Sequence, residues 1–163
     1  MEKHHQVFDD IIDDFLSMGL PVNKSEQVDE FKTFSSEIKR GEVSFRILVL
    51  FDLHEETVVV SIALSHAVPP EKRKAVIELI NLINCYLDTG HFTVCPETGI
   101  VMIKDGIFVV DDSLNKQEFN RFVKKIINDA HVFFPLINDQ ALSNRKPKEM
   151  MTNFLKENKH LWK

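Results

Sequence analysis

Val43-Ser44-Phe45-Arg46-Ile47-Leu48-Val49-Leu50-Phe51-Asp52 alternates along its whole length. Val43, Phe45, Ile47, Val49 and Phe51 fall on one side of an extended chain, and Ser44, Arg46, Leu48, Leu50 and Asp52 on the other. A period of two is the mark of a strand. His54-Glu55-Glu56 then makes a turn, and Val58, Val59, Val60, Ile62 and Leu64 beyond it read as a second strand rich in β-branched residues. Upstream, Arg40-Gly41-Glu42 is another turn, and the mixed, polar run from Phe31 to Ile38 suits an edge strand. Turns this short join antiparallel neighbours, so the three strands form a meander. Leu48, Leu50, Val59 and Ala63 add apolar groups to the second face, which predicts that this face too is covered in places.

Helical periods flank the meander. Phe8, Ile11, Ile12 and Phe15 recur at the spacing of one helical face over residues 4–18, with Asp9, Asp10, Asp13 and Asp14 largely opposite, and Gly19 and Pro21 end the helix. Pro69-Pro70-Glu71 opens a second helix with the stripe Val76, Leu79, Ile80, Ile83 and Leu87, the most apolar in the chain, closed by Gly90. His91 to Cys95 reads as a short strand, Pro96-Glu97-Thr98-Gly99 as a tight turn, and Ile100 to Val110 as strand again. Asp105-Gly106 is either a hairpin turn or a bulge. The alternation of Val101, Ile103, Ile107 and Val109 runs across it, which favours one bent strand.

Asn115 and Glu118 resemble a capping box ahead of Phe119, Phe122, Val123, Ile126, Ala130 and Phe133. Pro135 is expected to kink or break this helix. Ser143-Asn144-Arg145-Lys146 reads as a linker, and Pro147 starts a last helix carrying Met151, Phe154, Leu155 and Trp162. The expected order is α-β-β-β-α-β-β-α-α. This is an α+β fold, an antiparallel sheet with helices on one face. Residues 1–142 are expected to form one domain and residues 143–163 a linker and C-terminal helix.

The chain has 163 residues, 44% of them hydrophobic and 28% charged. A chain of that size buries a core without disulfides or metals. No apolar run approaches the roughly 18 residues of a membrane span. The acidic, amphipathic start argues against a secretory leader, and a cytoplasmic location is expected. The net charge of −5 is uneven: residues 1–66 hold 6 Lys/Arg against 13 Asp/Glu, and residues 113–163 hold 10 against 5. An acidic body does not attract phosphate backbones, and the basic end lacks an aromatic platform, so nucleic acid is not an expected partner.

Chemistry-bearing patterns are scarce. Cys85 and Cys95 lack CxxC spacing and read as reduced, partly buried thiols. His5 and Asp9 share a helix face, and His66, His91 and Cys95 lie near strand ends, but neither set has the spacing of a metal site. Asp9, Asp10, Asp13 and Asp14 read as a solvated face, and Asp111-Asp112 as support for the dipole of the third helix. No GxSxG elbow is present. All five glycines (19, 41, 90, 99 and 106) have turn or cap duties, leaving none for a phosphate loop. The expectation is no catalytic residue, no metal and no cofactor. Thirteen Phe are more than one helix layer covers, which predicts an interface or groove.

The local words and their order resemble the bacterial YbjN-like domain, described as a sensory transduction regulator and related in fold to type III secretion chaperones. The resemblance runs from the first helix to about residue 140. It rests on Val68-Pro69-Pro70-Glu71-Lys72-Arg73, on Leu82-Ile83-Asn84, on Gly90-His91-Phe92-Thr93-Val94 and on Pro96-Glu97-Thr98-Gly99. Gly19-Leu20-Pro21-Val22 and Phe133-Phe134-Pro135-Leu136 also fit. It implies a dimer-prone α+β fold with no established enzymatic activity and supplies no catalytic residues.

The leading expectation is a non-enzymatic protein-binding module, chaperone-like or regulatory, that forms a homodimer and holds a protein or peptide partner. Met151, Phe154, Leu155 and Trp162 are its candidate partner-binding residues, on a short helix that must dock on its own subunit or across the dimer. The rival is a small-molecule sensor or an undetected enzyme using a cavity between sheet and helices. A cavity of roughly 300 Å³ or more with convergent polar groups favours the rival, and an open apolar groove or a twofold-related sheet favours the first.

Overall fold

The computed structural model describes residues 2–40, 43–110 and 113–159. The Arg40-Gly41-Glu42 turn, the Asp111-Asp112 pair and Trp162 lie wholly or partly outside them, as does the side chain of His5. Ten elements follow in order: α1 (Glu2–Ser17), β1 (Lys24–Val28), β2 (Phe31–Arg40), β3 (Val43–Asp52), β4 (Thr57–Ala67), α2 (Arg73–Asn84), β5 (His91–Val94), β6 (Ile100–Phe108), α3 (Lys116–Leu142) and α4 (Pro147–Glu157). A 3-10 turn, Pro70–Lys72, leads into α2.

The sheet has six antiparallel strands in the order β1-β2-β3-β4-β6-β5. The α+β class expected from the period-two runs is the class observed. One strand exceeds the expected order. β1, Lys-Ser-Glu-Gln-Val, pairs with β2 from Lys24↔Ser35 to Val28↔Phe31, so β1 is the edge and β2 is interior. A period shows only where one face is buried, and the described β1 side chains are exposed.

The alternation of β3 and β4 sorts as expected. Phe45, Ile47, Val49 and Phe51 are buried on one face, with Val58, Val60, Ile62 and Leu64 beside them. All helices lie on that face. Phe8 and Phe15 of α1 meet Phe34 of β2 edge-on, at centroid distances of 5.9 and 4.9 Å. Phe134 of α3 stacks on Phe45 at 5.4 Å, and Phe92 of β5 meets both Phe133 and Phe134. α2 buries Val76, Leu79, Ile80 and Ile83. Asn115 caps α3 by accepting from the Gln117 and Glu118 amides.

Four further expectations are corrected or sharpened. Pro135 does not break α3, which runs unbroken for 27 residues, because Phe133, Phe134, Ile137, Gln140 and Ala141 are all buried on either side of it. That burial outweighs one missing hydrogen bond. The single strand favoured across Asp105-Gly106 is the one observed, but the bulge is not there: Asp105 pairs with Val60 and Gly106 with Val59 in unbroken register, and the irregularity falls between Ala63 and Ala67 of β4. Asp14 is not solvated but buried, held by Lys116 at 2.6 Å. Cys85 is exposed just past the end of α2, and both cysteines are free.

Candidate functional site

No helix covers the second face of the sheet among the described residues. Register places its side chains in rows. Phe31, Asp52, Thr57 and Phe108 form the first, and Thr33, Leu50, Val59 and Gly106 the second. Ser35, Leu48, Ser61, Lys104 and His91 form the third, and Glu37, Arg46, Ala63, Met102 and Thr93 the fourth. Leu48, Leu50, Val59, Ala63 and Met102 thus gather an apolar centre on β3, β4 and β6. Phe31 and Phe108 stand at the corners, and Leu48 and Phe108 are 44% and 72% exposed. Charge also enters this face: Glu37 and Arg46 are opposite one another across β2 and β3, Arg46 is beside Ala63, and Lys104 is beside Ser61. Over β1–β3 lies a concavity of about 460 Å³, lined by Glu26, Thr33, Ser35, Glu37, Arg46 and Leu48 among others. Of the apolar centre Leu48 is exposed, and Leu50, Val59, Ala63 and Met102 are half-buried.

The sequence candidates on α4 lie on the other side of the molecule. Met151 is buried together with Pro147 and Met150, and Phe154 and Leu155 are half-buried. Phe154 lies against Phe133 at 5.4 Å. α4 therefore docks in cis, on α2 and α3. Its linker is pinned at three points. Lys72 Nζ donates to the Ser143 carbonyl at 2.7 Å and to Asn144 Oδ1; Gln140 Nε2 donates to the Arg145 carbonyl at 3.0 Å; Arg145 pairs with Asp139. The part of Met150 and Gln140 in this contact had no separate signal in the sequence, because a methionine or glutamine at helical spacing is equally at home on a surface.

The dispersed titratable groups do not converge. His66 Nε2 meets Asn138 Oδ1 at 2.7 Å rather than His91 or Cys95. Among the described residues no group of three or more His, Cys, Asp or Glu is placed to hold a metal. The Thr98 hydroxyl, aided by the Thr98 and Glu97 amides, pulls the Cys95 thiol below its ordinary value. Burial lowers Lys32, which lies over the Phe8 ring at 5.3 Å, against the opposing pull of Asp9. No described helix is long and apolar enough to cross a membrane.

A family model described as "YbjN: Putative bacterial sensory transduction regulator" matches residues 33–139. The chain belongs to the YbjN family. The match starts in β2 and ends inside α3, so it takes in the meander, α2 and the β5–β6 pair. The crystal structure of YbjN, "a putative transcription regulator from E. coli", superposes with a TM-score of 0.51 at 13% identity, covering 75% of this chain and 84% of that one. An uncharacterized protein from Methanothermobacter thermautotrophicus superposes with a TM-score of 0.54 at 14% identity, covering 81% and 96%. At these identities the likeness is one of fold. No curated protein sequence matches the chain. The YbjN family description is that of a regulator and names no reaction.

Proposed function

We propose that this YbjN-family chain is a non-enzymatic regulatory module that acts by binding protein through the open face of its sheet. The carrying observation is the apolar centre of Leu48, Leu50, Val59 and Met102, with Leu48 and the corner ring of Phe108 both exposed to water. A surface of this kind fits a second copy of the chain or an apolar stretch of another protein, as a chaperone-like role requires. The nearest occupant is a second copy. A two-fold axis along the strands between β3 and β4 sets Leu50 against Val59 and Phe31 against Phe108 of the mate, and brings no like charges together. A cytoplasmic site of action goes with this proposal, supported by the free Cys85 and Cys95.

Light scattering on a sizing column tests it. The wild-type chain at tens of micromolar is expected to have a dimer mass, and Leu48→Glu with Phe108→Glu a monomer mass and an unchanged circular dichroism spectrum. A monomeric wild type, or a folded double variant that still dimerises, removes the second copy from this face.

A further inference from the structure

Two backbone irregularities meet at one end of the sheet. On β4 the register with β6 slips: Ala63 is opposite Met102 and Ala67 is opposite Ile100, so four steps along β4 match two along β6. Extra residues in one strand bend it and re-aim its side chains. On α3, Pro135 has no N–H for the carbonyl one turn back. Between the two lies a cavity of about 420 Å³, walled by Leu64, Ser65 and His66 on one side and by Phe134, Asn138, Asp139 and Leu142 on the other.

Leu64 and Phe134 back the cavity but are buried, so Leu142 is the large apolar side chain that it exposes. At the rim stands Leu142, 75% exposed, more than any other large apolar side chain among the described residues. The polar groups are paired in an informative way. His66 Nε2 lies 2.7 Å from Asn138 Oδ1. With Nε2–H donating to that oxygen, the neutral ring of this tautomer has Nδ1 as an acceptor, and the Asn138 amide hydrogens are donors. Asp139, the one carboxylate among the lining residues, is paired with Arg145. The lining thus offers a donor beside an acceptor, an exposed leucine and no uncompensated acid.

We propose that this cavity binds a small neutral amide. The ligand carbonyl accepts from Asn138, its N–H donates to His66 Nδ1, and an aliphatic arm packs against Leu142. A capped amino acid has this chemistry, and the volume lies within the roughly 300–1,000 Å³ of small-ligand sites. The site shares no residue with the apolar centre of the open sheet face, so failure of either proposal leaves the other standing.

The test is a titration of the ¹⁵N-labelled full chain with N-acetyl-leucine amide, followed by amide chemical shifts. Saturable shifts at Ser65, His66, Asn138 and Leu142 are expected. Asn138→Leu should weaken binding tenfold or more while its thermal transition stays near wild type. Leu142→Ser, a change at an exposed position, should weaken it at least threefold and decides the matter if Asn138→Leu does not fold. N-acetyl-leucine, which keeps the acetyl amide but carries a charged carboxylate in place of the C-terminal amide, should bind at least tenfold more weakly. Shifts that never saturate or that scatter over the surface overturn the proposal. So does undiminished binding by either folded variant, or equal binding of the carboxylate.

Discussion

Leu79 sits mid-stripe on α2 with none of its surface exposed, as does Ile83 one turn on. Leu79→Ala leaves a cavity in a close-packed core and is expected to cost about 2–5 kcal/mol in denaturant unfolding. A loss below about 0.5 kcal/mol, the range of ordinary surface substitutions, would show that the stripe is not core. Gly99 is constrained differently. Its φ is +76°, and a Cβ there would lie 2.7 Å from the Val68 carbonyl oxygen and from Arg73 Nη2. Arg73 has little room to give, because its Nη1 donates to the Pro96 carbonyl at 2.7 Å. Gly99→Ala should therefore lower stability by at least about 1 kcal/mol, read as a drop in melting temperature. Asp129 ties stability to pH. Burial raises its pKa, against the pull of Lys125 at 2.8 Å. The native state then holds this proton to higher pH than the unfolded chain does. The stability the group contributes is complete below the unfolded carboxylate range and falls as pH rises through the folded value. Asp129→Asn removes that fall, so its melting temperature should gain on wild type between about pH 3.5 and pH 7. A gap that stays constant across that range would mean the Lys125 pair offsets the burial.

At the scale of elements, α4 is the part whose removal is most informative. It has 11 residues, too few to persist alone in water, and Pro147, Met150 and Met151 are buried by docking. Truncation after Arg145 should leave a folded domain that melts lower and binds more apolar dye, since the ring of Phe133 loses Phe154. Dye binding and melting equal to the full chain would mean the docked helix stabilises nothing. The helices whose stripes repeat at the spacing of one face, α1 and α2, were legible in the sequence, as were β3 and β4, whose inner faces are buried. β1 was not, because a polar five-residue strand has no buried face to impose a period. The passage of α3 through Pro135 was not either. Whether a helix survives a proline depends on what the flanking turns bury, and Phe45 and Phe92, which receive Phe134, are far away in sequence.

At the scale of the molecule, the covered and open faces of the sheet decide how it meets others. If the open face joins two copies, the melting temperature should rise with protein concentration, by mass action on the dimer. Melts from about 5 to about 500 μM read this directly, and a constant value across that range counts against the dimer.

Composition and period determined the α+β class, the meander, the apolar stripe of α2 and the absence of recognisable catalytic spacing, because burial on one face writes itself into local alternation. The tertiary structure alone decided which face the helices take and leave Leu48 and Phe108 in water. It alone set Asp14 against Lys116, and His66 against Asn138, 72 residues away. Those pairings arise where separate elements meet at one point in space, and no window of neighbouring residues carries that information.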